Sequence, residues 1–153
     1  MRKFWTGIVV SALLLTAACN FHASSSQANS ELNGRAEELY HDLVAGRDDA
    51  IVAAMSKENS AAQVRAQLPT LRNFVADGPP PAAIVAGTQT TRSTDGSFYT
   101  VLQTYDYADR VVRFEVRFKA EDGEWKVLAF NLNVVIKPGA EGADQPEGAA
   151  PSA

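Results

Sequence analysis

Between Val112 and Lys119 the chain alternates without a break: Val112, Phe114, Val116 and Phe118 are apolar, and Arg113, Glu115, Arg117 and Lys119 between them are charged. Successive side chains on a strand point to opposite faces, so this stretch reads as a β-strand with one face buried and the other in water. A half-buried strand needs neighbours, and the sequence supplies them on both sides. Glu121-Asp122-Gly123-Glu124 carries Asp-Gly at its centre, the pair that suits a tight hairpin turn. Trp125–Ile136 follows as a further strand, with Leu128, Phe130, Leu132, Val134 and Ile136 on one face. Upstream, Phe98–Tyr107 is rich in aromatic and β-branched residues, reads as a strand, and joins the alternating one through Ala108-Asp109-Arg110. Ala83–Arg92, with Ile84, Val85 and three threonines, reads as another, followed by the turn Ser93–Ser97.

Ahead of these strands the apolar period is helical. Leu32, Ala36, Leu39, Tyr40, Leu43 and Val44 recur at the spacing of one helix face, with Ser30 as the expected N-cap and Gly46 as the stop. Asp48 is placed to cap a short second helix carrying Ile51, Val52 and Met55. Ser60-Ala61-Ala62-Gln63 has capping-box spacing, and a third helix shows Val64, Leu68, Leu71 and Phe74 on one stripe. Pro69 is expected to kink or divide that helix, because proline lacks the N–H the helix needs. Asp77-Gly78-Pro79-Pro80-Pro81 ends all helix. Helices first and consecutive antiparallel strands afterwards give an α+β fold, with N-terminal helices packed on a curved antiparallel sheet of about four strands.

The ends are of another kind. Arg2 and Lys3 precede the apolar run Phe4–Leu15, and small residues Thr16-Ala17-Ala18 lead to Cys19. That is the layout of a secretory signal over residues 1–18, and the run is shorter than the roughly 20 apolar residues of a membrane span. LLLTAAC resembles the lipobox of bacterial lipoproteins, departing from it at Thr16, where leucine is commoner. The resemblance implies that Cys19 is lipidated after cleavage and anchors the chain to a membrane, with acyl chains contributing about 0.8 kcal/mol per buried methylene. By the sorting pattern of that family, Asn20 favours the outer membrane, with the protein facing the periplasm. Residues 19–29 are polar and Ser/Ala-rich, and residues 137–153 are rich in Gly, Ala and Pro. They read as a flexible tether and a disordered tail around a domain at residues 30–136.

The order of elements, with the first helix ending in AGRDDAIVAAM and the close DGEWKVLAFNL, resembles the nuclear transport factor 2-like (cystatin-like cone) superfamily. More narrowly, it resembles small envelope proteins of that superfamily, whose last hairpin reads acidic-Gly-x-Trp followed by an apolar strand. The resemblance implies a curved sheet whose concave side is filled or capped by helices, often leaving a pocket. Here the expected lining is Tyr40, Leu43, Phe74, Phe114 and Phe130. Cones often pair through the outer sheet face, so a homodimer is an expectation, although the Arg113–Lys119 row argues against a dry interface there.

Chemistry is sparse. The single cysteine excludes an internal disulfide, and two histidines, His22 and His41, are too few for most His/Cys metal sites. No metal or other cofactor is expected. The net charge of −4, less the two positive charges Arg2 and Lys3, leaves about −6 after Cys19, which disfavours nucleic acid as a partner. Cone enzymes use a carboxylate, or a His–Asp pair, with a tyrosine. The matching candidates are Asp106, between Tyr105 and Tyr107, and His41, with Asp42 or Asp48 to orient it; solvated roles suit each. Phe98, Tyr99, Tyr105, Tyr107 and Trp125 could form a binding surface, though cross-strand core pairs use the same residues. The leading expectation is a non-catalytic envelope lipoprotein that binds a protein partner or a small apolar ligand. The alternatives are an isomerase- or hydrolase-type enzyme and a structural or assembly factor at the outer membrane.

Overall fold

A computed structural model of the chain describes residues 29–75 and 78–139. The expected signal, Cys19, the tether to residue 28 and the tail from residue 140 lie outside the described residues. Three helices, α1 (Ser30–Val44), α2 (Asp48–Ala54) and α3 (Ala61–Arg72), precede four strands, β1 (Ile84–Ser93), β2 (Gly96–Asp106), β3 (Arg110–Glu121) and β4 (Glu124–Ile136). The strands form one curved antiparallel sheet in sequence order, β1-β2-β3-β4, and the helices cover one of its faces. The architecture is α+β, as the change of period along the chain requires.

Local chemistry explains most boundaries. The Asn29 side chain accepts from the Leu32 backbone N–H at 3.1 Å, so Asn29 is the N-cap of α1 and Ser30, expected in that role, is its first helical residue. Gly46 takes φ +70° beyond the end of α1, a conformation that costs glycine little. Asp48 does not cap α2. Its carboxylate pairs with Arg72 of α3 instead, and the N-cap position, Arg47, makes no side-chain cap bond. Ser60 does cap α3, accepting from Gln63 N–H. Pro69 lies inside α3 without dividing it. At the β3–β4 turn Asp122 and Gly123 both have positive φ, 52° and 86°, the pairing that matches a tight hairpin to strand twist.

The core lies between α1 and the inner face of β2–β4. Leu32, Ala36, Leu39, Tyr40 and Leu43 come from α1, with Ile51 and Leu68 from the other helices. Tyr99, Val101 and Tyr105 of β2 and Val112, Phe114, Val116 and Phe118 of β3 meet them. Each fully buried leucine or phenylalanine stabilises the fold by roughly 1.5–3 kcal/mol. On β4 the expected single face is interrupted. Arg117 pairs with Ala129 but Phe118 pairs with Val127, so Leu128 is an extra residue in the ladder. A bulge reverses the alternation. Trp125 and Val127 therefore face the core before it, and Phe130, Leu132 and Val134 after it. Ile136, expected on the same face, is largely exposed.

Candidate functional site

The residues expected to line a pocket divide into three kinds. Tyr40, Leu43 and Phe114 are fully buried. Tyr40 stacks on Tyr105 with ring centroids 3.8 Å apart and 18° between planes, and tilts against Phe114 at 5.3 Å. Phe130 extends the row, 5.8 Å from Phe114, and is half-buried. Phe74 does not join them and is 52% exposed. Helix α3 ends at Arg72 with Asn73 as its C-cap, so the stripe that would have carried Phe74 inward stops before reaching it. The rings fill the space beneath α1 where the cone resemblance implied an opening.

Around this stack runs a set of hydrogen bonds linking α1 to β2. Tyr99 Oη donates to Asn33 Oδ1 at 2.8 Å and accepts from Asn29 N–H at 3.1 Å. Gln103, 1% exposed, donates through Nε2 to the Asn33 carbonyl at 2.8 Å and accepts from Tyr105 Oη at 3.0 Å. Tyr40 and Tyr107 share a hydroxyl–hydroxyl bond of 2.9 Å. Burial pushes the Tyr40 and Tyr105 phenols well above the ordinary tyrosine range, and the Tyr107 bond raises Tyr40 further. Burial also raises Tyr107, against the opposing effects of the Tyr40 bond and the Arg110 charge. Phenols held neutral in this way are locators of a helix on a sheet; none is poised to release a proton near neutral pH.

The candidate acids and bases lie elsewhere. The Asp106 side chain is 58% exposed and pairs with Lys137 Nζ at 2.5 Å. Lys137 also donates its backbone N–H to the Asp109 carbonyl at 2.8 Å, so the chain is held to the sheet one residue beyond the expected end of the domain. His41 has neither expected carboxylate beside it. Asp42 pairs with Arg47 at 2.5 Å and Asp48 pairs with Arg72. His41 Nε2 is buried without a hydrogen-bond partner. Its residue borders an open cleft of about 580 Å³, with Val44, Arg47, Arg72, Val75 and Pro79 among the walls. A smaller groove of about 160 Å³ runs beside Phe130, Leu71 and Leu128. Among the described residues no group of three or more His, Cys, Asp or Glu side chains could hold a metal ion, and no helix is long and apolar enough to cross a membrane.

The aromatic residues weighed as a surface are mostly interior: Tyr99, Tyr105 and Tyr107 are buried in the core. Phe98 is buried beneath the Arg117 guanidinium, 4.6 Å from the ring centroid. Trp125 is partly buried against the core, and its carbonyl accepts from Arg35 at 2.8 Å. Gln103 is the important residue that composition alone passes over. Its signal was its parity, since it falls on the same face of β2 as Tyr99, Val101 and Tyr105. No protein-family profile, curated protein or solved structure matches the chain.

Proposed function

We propose that the chain is a non-catalytic cell-envelope lipoprotein, exported by residues 1–18, lipidated at Cys19 and held at the outer membrane facing the periplasm, whose cone-type domain binds a protein partner through its surface. The anchor is supported by the arrangement of Arg2, Lys3, the apolar run and LLLTAAC before the sole cysteine. The choice of a protein partner over a small apolar ligand rests on one observation. The stacked Tyr40, Tyr105 and Phe114 rings fill the interior where the cone resemblance implied a ligand pocket, and the open cleft beside His41 is walled by other residues. An enzyme of isomerase type is disfavoured by the same packing and by the solvent-facing Asp106–Lys137 pair. Exposed apolar residues on β1 and at the end of β4, namely Ile84, Val85, Val135 and Ile136, are suited to contact with another protein.

Metabolic labelling with an alkyne fatty acid tests the anchor: the wild-type chain takes up label and Cys19→Ser does not. Label retained by Cys19→Ser, or missing from the wild type, would refute it. Titration with an apolar naphthalene-sulfonate dye tests the closed interior. No saturable one-to-one site is expected, and a tight stoichiometric site that Tyr40→Phe alters would restore the ligand reading.

A further inference from the structure

The two edges of the sheet are treated differently. Along β4 the segment after α2 covers part of the edge: Met55 bridges Val127, Ser56 N–H donates to the Val127 carbonyl at 2.8 Å, and Asn59 Nδ2 donates to the Leu128 carbonyl at 3.0 Å. Along β1, among the described residues, no backbone hydrogen bond arrives from outside its hairpin with β2. Unpaired strand edges recruit another strand unless charge, proline, a bulge or a covering segment protects them. β1 has little of this protection. Its ten residues, IVAGTQTTRS, contain no proline, acid or lysine, and Arg92 is their one charge. The bulge at Ala86 leaves Gly87–Ser93 in regular register with β2.

We propose that β1 pairs antiparallel with β1 of a second copy across a two-fold axis, joining two four-stranded sheets into one. The inference does not depend on the lipid anchor. The low charge of β1 lets it face its own copy without repulsion. With the axis anywhere between Thr88 and Thr90, Arg92 lies opposite one of residues 84–88 of the other copy, and none of those is charged. No like charges oppose one another, and with the axis at Gln89 the two Gln89 side chains meet and Thr88 meets Thr90 as uncharged hydrogen-bonding neighbours. With the axis at Thr88, pairing also sets Arg92 and Thr91 of the other copy beside Ile84 and Val85, which are 59% and 43% exposed. The outer sheet face is a poor alternative, because Arg113, Glu115 and Arg117 stand exposed on it.

Native mass spectrometry of the full purified chain at micromolar concentration tests this. The wild type is expected at twice the monomer mass. Gln89→Lys, an exposed position near the axis, places two lysines close together and should reduce the mass to that of one chain with the circular dichroism unchanged. Mixing Gln89→Lys with Gln89→Glu should restore the doubled mass. A wild-type monomer, or a dimer that Gln89→Lys leaves intact, would overturn the proposal. The readout is the same whether or not the protein carries lipid, so its failure is distinct from failure of the anchor.

Discussion

At the residue scale, the buried phenols and Gln103 carry the most consequence. Gln103 satisfies two partners at once, the Asn33 carbonyl and the Tyr105 hydroxyl. Replacing Gln103 with Leu leaves the Tyr105 hydroxyl without a bond, so urea denaturation should show a loss of about 1–3 kcal/mol. Removing a packed ring is worse: Tyr40→Ala should cost about 3–5 kcal/mol, whereas exposed Phe74→Ala should fall within about 0.5 kcal/mol of wild type. The raised phenols also set a pH dependence. Tyrosines of an unfolded chain ionise near pH 10, while Tyr40, Tyr105 and Tyr107 in the fold keep their protons above that. Above about pH 10 the native state therefore holds more protons than the unfolded one, and stability falls as pH rises; below it the contribution is fully present. The urea midpoint should drop between pH 8 and pH 11, and Tyr40→Phe with Tyr105→Phe should reduce the drop. An unchanged slope in that double variant would contradict the assignment. Tyr40, Leu43 and Phe114 were legible in the sequence as inward residues. Phe74 was misplaced because a periodic stripe does not record where its helix stops.

At the scale of elements, periodicity was a good guide to type and a weaker one to ends and faces. All seven elements follow from the helical and two-residue periods. The N-cap of α1 shifted by one residue, because asparagine and serine both cap well and only the Asn29–Leu32 bond distinguishes them. Asn29→Ala should therefore lower stability by about 0.5–2 kcal/mol, and Ser30→Ala should leave the thermal midpoint almost unmoved. A reversed order of effects would return the cap to Ser30. The bulge at Leu128 was not legible, since it exists only in the offset between two paired strands. The covering of β4 by Met55, Ser56 and Asn59 was hidden for a related reason: Met55 reads as part of the α2 stripe although α2 ends at Ala54, and the polar Ser56 and Asn59 give no periodic signal of the strand they meet.

At the scale of the molecule, α1 and the sheet enclose side chains where the cone resemblance implied a pocket. A catalytic reading needs an inward base. Asp106 pairs with Lys137 in solvent, and Asp42 and Asp48, the carboxylates expected to orient His41, pair with arginines instead. The role proposed at a membrane surface rests on the first 19 residues more than on the fold. The central claim is the tether, and the intact mass of the protein purified from its native membrane tests it most directly. The account predicts a chain beginning at Cys19 whose mass exceeds that of the peptide by a thioether-linked diacylglycerol, with or without a further amide-linked acyl chain. A chain beginning at Met1, or one with an unmodified thiol at Cys19, would contradict it.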